Sequence, residues 1–168
     1  MRALIFSLCL FVSGCYLVES RYVNREYGFS LILPRIWQKQ EGIPGTILVV
    51  RSPLTGSRDK FQENITVSVG DLAEEIPLDI IYELNKEEIM RVIPGLKEDV
   101  LEADIYAGKI QGKSLAFINR NGDSSFRTLV ALWVQKKRVY VLSCSAELKE
   151  YSLYADYFKR AIRSFSIK

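Results

Sequence analysis

The sequence predicts an α+β domain: an α/β/α sandwich in which helices cover both faces of a central antiparallel β-sheet. Two observations carry this. Within Phe126–Ala146, Thr128, Val130, Leu132 and Val134 alternate with Leu129, Ala131 and Trp133, so both faces of one strand are largely apolar. After the polar turn Gln135–Arg138 the partner strand repeats the pattern, with Val139 and Val141 against Tyr140, Leu142 and Cys144. So short a turn joins antiparallel strands, which usually keep one wet face. Here neither face is wet, and apolar layers must cover both. Secondly, two segments change to a helical period and supply those layers, Pro77–Ile93 and about Leu148–Ser164.

The elements follow in chain order. Met1 and Arg2 precede the apolar run Ala3–Val12, and Ser13-Gly14-Cys15 closes it. A basic start, a short apolar stretch and small residues at a cut site make a secretory signal. Glu19 and Arg21 end the run well short of the roughly 20 residues a spanning helix needs. Val12-Ser13-Gly14-Cys15 resembles the bacterial lipobox, in which the cysteine is diacylated before cleavage. Residues 1–14 are therefore expected to be a lipoprotein signal, 15–21 a lipidated tether carrying its acyl chains on Cys15, and 22–168 a single domain. Cleavage leaves 154 residues, enough for one core.

Tyr27–Leu33 is β-rich and stops at Pro34, with Trp37 beyond. Ile43-Pro44-Gly45 is a turn before the strand Thr46–Val50. Leu54–Gln62 is a polar loop, and Asn64–Val69 alternates with Ile65, Val67 and Val69 on one face. In Pro77–Ile93 one helical face is expected at Ile81, Leu84, Glu88 and Val92, its apolar stripe widened by Ile80, Ile89 and Met90, and Pro94-Gly95 ends the helix. Strands follow at about Val100–Tyr106 and Lys113–Arg120, with Gly108 and Gly112 flanking the turn between them. Asn121-Gly122 marks a hairpin. The last helix carries Leu153, Tyr154, Tyr157, Phe158, Ala161 and Ile162 as its stripe.

In order and spacing these segments resemble PsbP-like domains. The residues concerned are Tyr27-Gly-Phe-Ser-Leu-Ile-Leu-Pro34 with Trp37, Asn64-Ile-Thr-Val67, Pro94-Gly-Leu96, Arg138–Ala146 and the closing Phe158–Phe165. The resemblance implies a Mog/PsbP-type sandwich over nearly all of the mature chain. Such domains include lumenal extrinsic subunits of photosystem II, cyanobacterial lipoprotein versions of these, DcrB-like envelope lipoproteins and a nuclear Ran-binding protein. One fold thus serves several tasks, mostly by binding a larger assembly. The histidines and carboxylates some photosystem members place around metal ions have no counterparts here, so no metal ligand or cofactor is implied.

Composition narrows the chemistry. The chain has no histidine, which removes the commonest base near neutral pH and the commonest metal ligand, and with them Ser-His-Asp and Cys-His mechanisms. Signal cleavage lowers the formal charge from +3 to +2, too little for nucleic-acid binding. Cys9 leaves with the signal and Cys15 is acylated, so Cys144 is a lone thiol, expected to be buried. Glu74, Glu75, Glu87, Glu88, Glu98, Asp99, Glu102 and Asp104 read as a solvated face, though paired acids could do acid–base work. Asn119–Asp123 is a hairpin, since Arg120 does not suit a calcium loop. Lys136-Lys137-Arg138 is a charged hairpin tip that could face anionic lipid.

The expected function is a non-catalytic, monomeric envelope lipoprotein, anchored to the membrane by lipid, that docks on or helps assemble a membrane protein complex. A small-molecule or ion carrier and, in a photosynthetic host, a photosystem II assembly protein are the alternatives; a carboxylate hydrolase ranks last. Tyr16 in place of an aspartate after the cysteine favours the outer membrane in a two-membrane cell.

Overall fold

The computed structural model describes residues 19–57, 59–93, 96 and 101–168. In order these form β1 (Glu19–Asn24), β2 (Phe29–Pro34), β3 (Gln38–Glu41), β4 (Leu48–Arg51), β5 (Asn64–Asp71), α1 (Leu78–Val92), β6 (Leu101–Ala107), β7 (Ile110–Asn121), β8 (Ser124–Gln135), β9 (Arg138–Glu147), α2 (Tyr151–Ser164) and β10 (Ser166–Ile167). The expected signal, Cys15, Pro94-Gly95 and the acids Glu98 and Asp99 lie outside the described residues.

A seven-stranded sheet runs β3-β4-β5-β9-β8-β7-β6, and a three-stranded one β1-β2-β10. Every pairing is antiparallel. Two tight hairpins set the register of the large sheet. Gly122 turns β7 into β8 with φ 58°, and Lys136 turns β8 into β9 with φ 54°, the left-handed region that glycine favours.

The alternation in β8 and β9 sends each set of side chains to its own cover. Ala131, Trp133, Tyr140, Leu142, Cys144 and Ala146 share a core with Leu31, Leu33, Val50 and Val67, and α2 adds Phe158, Ala161 and Ile162 to it. On the other face Leu132 and Val139 meet Ile81 of α1, while Leu115 and Phe117 meet Tyr82. The protein is therefore an α+β sandwich with a helix on each face of an antiparallel sheet, the small sheet sharing the α2 side.

The two helices differ from the sequence expectation in which side chains they bury. On α1 the buried residues are Ile81 and Tyr82, whereas Ile80, Leu84 and Val92 are exposed. At 100° per residue, Tyr82 and Leu84 lie about 200° apart, so one face cannot bury both; the buried face of α1 is turned toward Tyr82, Ile89 and Met90 and away from Leu84 and Val92. On α2, Leu153 is 70% exposed, and Leu148 lies before the helix begins. Ile93 ends α1 in an extended conformation (φ −112°, ψ 102°), to which a residue before proline is driven by the ring's bulk. Gly112 does not flank a turn but sits inside β7, opposite Trp133. β1 takes in Glu19–Arg21, the end of the stretch read as tether.

Candidate functional site

Carboxylates come first, because paired acids are the acid–base arrangement the sequence singles out in a histidine-free chain. Glu74 and Glu75 are exposed in the loop before α1, and Glu87 and Glu88 on its outer surface. Glu88 is held by Arg91, with contacts of 2.6 to 3.0 Å. Glu102 and Asp104 share one side of β6, two residues apart. Lys86 Nζ of α1 donates to Glu102 Oε1 at 2.5 Å. Lys113 of β7 pairs with Asp79 at 2.6 Å and lies 5.1 Å above the Tyr82 ring. Tyr82, Glu102, Ala103, Asp104 and Lys113 thus line a shallow depression of 340 Å³ between α1 and the sheet edge.

The electrostatics there lock charges in place. The Lys86 ammonium, then the Tyr82 hydroxyl, hold the Glu102 pKa below its usual value. Glu102 raises that of Lys86, and Asp79 raises that of Lys113. The Tyr82 hydroxyl is enclosed, and burial, then Glu102, raises its pKa. Each of these groups moves away from neutrality, the reverse of the tuning that general acid–base catalysis requires.

One carboxylate carries no clear mark in the sequence. Glu63, at the end of the polar loop, is 1% exposed and accepts a hydrogen bond from Ser52 Oγ at 2.9 Å. Nearby, burial and then the Glu63 carboxylate push the Tyr154 hydroxyl pKa up to about 12. The one sequence cue is its place just before β5, where the chain turns inward. Cys144 is fully buried, and burial pushes its thiol pKa up, which makes it a poor nucleophile.

Two basic surfaces remain. At the β8–β9 tip, Arg138 pairs with Asp71 at 2.8 Å, and Lys137 Nζ donates to the Ala73 carbonyl at 3.1 Å. With Lys136, Tyr140 and Lys168 these residues border a depression of 350 Å³. The outer side of α2 presents Asp156, Lys159, Arg160 and Arg163 around a depression of 520 Å³ that also takes in Ile32 and Ser164. The apolar stripe of α2, which the sequence makes plain, gives no hint of this polar one.

Among the described residues no group of three or more Asp, Glu, Cys or His side chains is placed to hold a metal ion, and no helix is long and apolar enough to cross a membrane. The profile of the PsbP family matches residues 19–167, almost the whole described chain. The chain belongs to the PsbP family. Solved structures that it resembles agree on the fold. Cyanobacterial PsbP (CyanoP) from Synechocystis sp. PCC 6803 superposes with a TM-score of 0.65 at 15% identity, covering 93% of this chain and 96% of that one. LpqN, involved in cell envelope biogenesis of Mycobacterium tuberculosis, gives 0.69 at 12% identity over 89% and 90%. PA94 from Pseudomonas aeruginosa, a protein of unknown function, gives 0.60 at 14% over 87% and 94%. In sequence, 101 residues are 34% identical to a Danio rerio protein of the INO80 complex, but that match spans 59% of this chain and 11% of the relative. Membership in the PsbP family brings the α+β sandwich with it; the surfaces described above belong to this chain's own residues.

Proposed function

We propose that this PsbP-family chain is a non-catalytic protein of the bacterial cell envelope, anchored through acyl chains on Cys15, that docks on or helps assemble a membrane protein complex. The observation that carries the reading is the Glu102 site. There Lys86 and then Tyr82 hold Glu102 ionised, Glu102 and Asp79 keep Lys86 and Lys113 charged, burial keeps Tyr82 protonated, and the chain has no histidine. A carrier would need room between sheet and helix, and on the α2 side aromatic rings occupy that space. Trp133 stacks on Phe165 at 4.5 Å, and Phe165 on Phe29 at 5.5 Å. The envelope role of LpqN, which shares the fold, fits the same address.

Affinity capture from detergent-solubilised membranes tests the reading. Integral membrane proteins should co-purify with the wild type in fixed proportion, and far less with Cys15→Ser, which removes the tether and lowers the local concentration at the membrane. Recovery of the bait alone from gently solubilised membranes would overturn it.

A further inference from the structure

β1 starts at Glu19, four residues after Cys15. Even fully extended, four residues reach no more than roughly 14 Å. An acyl anchor on Cys15 therefore brings whichever face of the domain holds Glu19 against the bilayer. That face is well defined. The Glu19 carboxylate is held by Arg160 on the outer side of α2, at 3.1 and 3.2 Å. Along the β1–β2 ladder, Glu19 pairs with Pro34 and Arg21 with Ile32, and lateral pairs share one side of a sheet. The Ile32 amide donates to Ser164 Oγ at 2.8 Å, tying β2 to the end of α2, and Ile32 borders the same depression as Asp156, Lys159, Arg160 and Arg163.

The resulting surface is cationic with apolar margins. Arg21, Lys159, Arg160 and Arg163 face two acids, Glu19 and Asp156. Both acids are engaged within the patch, Glu19 by Arg160 and Asp156 by Lys159 at 3.8 Å. The charge excess is two positive. Val23 on β1 and Leu153 on α2 are exposed, as is Ile36, two residues beyond the Glu19 partner Pro34. Cations around a 520 Å³ depression, with isolated apolar side chains beside them, suit a phosphate-bearing headgroup layer over a hydrocarbon boundary.

We propose that this face, the outer side of α2 with the β1–β2 edge, lies on the bilayer and binds anionic phospholipid headgroups at Lys159, Arg160 and Arg163. The orientation rests on acylation of Cys15; the headgroup preference rests on the patch itself. It sets the opposite side of the molecule, with α1 and the Glu102 site, toward the aqueous space and any partner.

The test uses the full-length protein, expressed in a lipoprotein-processing host, extracted from membranes and reconstituted into phosphatidylcholine vesicles with or without phosphatidylglycerol. With Cys15 acylated and Cys144 buried, Ser152→Cys on the outer side of α2 gives one reactive thiol for a nitroxide, and Leu84→Cys on α1 gives the control. Phosphatidylglycerol should lower access of an aqueous nickel chelate to the Ser152 label by about fivefold or more, the factor one charge near an anionic leaflet supplies. The Leu84 label should not change, and Lys159→Gln with Arg163→Gln should abolish the difference. If the protein carries the lipid by mass and floats with vesicles, yet Ser152 is equally accessible in both, the headgroup site is wrong. If Leu84 is the protected position, the orientation is wrong. If the mass shows no lipid and the protein does not float, the tether fails, and the orientation with it.

Discussion

Gly112 shows how a single missing side chain sets a core position. It faces Trp133 across the β7–β8 ladder. A β-carbon there would fall within the indole edge and 2.5 Å from the Leu132 carbonyl oxygen, and the backbone cannot yield as a flexible side chain would. Gly112→Ala should therefore cost about 1–3 kcal/mol in urea unfolding, the usual penalty of overpacking; an unchanged midpoint would contradict this packing. Cys144 gives a second prediction through its ionisation. Burial raises its pKa above the ordinary 9.0. From about pH 9 upward the unfolded thiol loses its proton while the native one keeps it. The unfolded state then binds fewer protons, and stability falls as pH rises. The contribution is complete below the unfolded pKa and is lost between that value and the raised native one, at about 1.4 kcal/mol per pH unit. Tyr82 and Tyr154, also raised from 10.0, act in the same direction at higher pH. Cys144→Ala should remove the thiol part of that slope; an identical pH profile in the variant would show that the thiol is not protected.

At the scale of elements, α2 is the helix on which the larger core depends. Phe158 is fully buried and meets Trp37 edge-on at 6.3 Å and Tyr151 at 5.9 Å. Phe158→Ala should cost about 3–5 kcal/mol, whereas Leu153→Ala should stay within about 0.5 kcal/mol because its side chain points outward. Equal losses in thermal or urea unfolding would mean that α2 is rotated from the orientation described. The same pair of residues shows what sequence can and cannot reveal. Strands β8 and β9 are legible because apolar residues fall on both faces of their adjoining halves, residues 129–134 and 139–142. The helices are legible in extent, but Leu153 and Leu84 fall on the expected buried stripes because hydrophobicity alone cannot rank a leucine below a tyrosine. Tyr82 buries its ring under Lys113 and keeps its hydroxyl beside Glu102, an amphipathic solution that a hydrophobic count ranks low. Strand β3, Gln38–Glu41, cannot be read, since all four side chains are exposed and its backbone pairing with β4 leaves no trace in composition.

At the scale of the whole molecule, the legible part of the candidate site is its local chemistry, and the illegible part is its assembly. Lys159, Arg160 and Arg163 are visible as helix charges, but their neighbour Glu19 lies 141 residues away in sequence from Arg160. Only the fold brings the start of β1 onto α2 and gives the basic stripe a direction relative to Cys15. The proposed role, contact at a bilayer instead of chemistry, rests on that tether. Mass spectrometry of the N-terminal peptide from membrane-extracted native protein tests it most directly. The account predicts a peptide that begins at Cys15 and carries a thioether-linked diacylglyceryl group; a peptide that begins elsewhere, or at Cys15 without lipid, would contradict it.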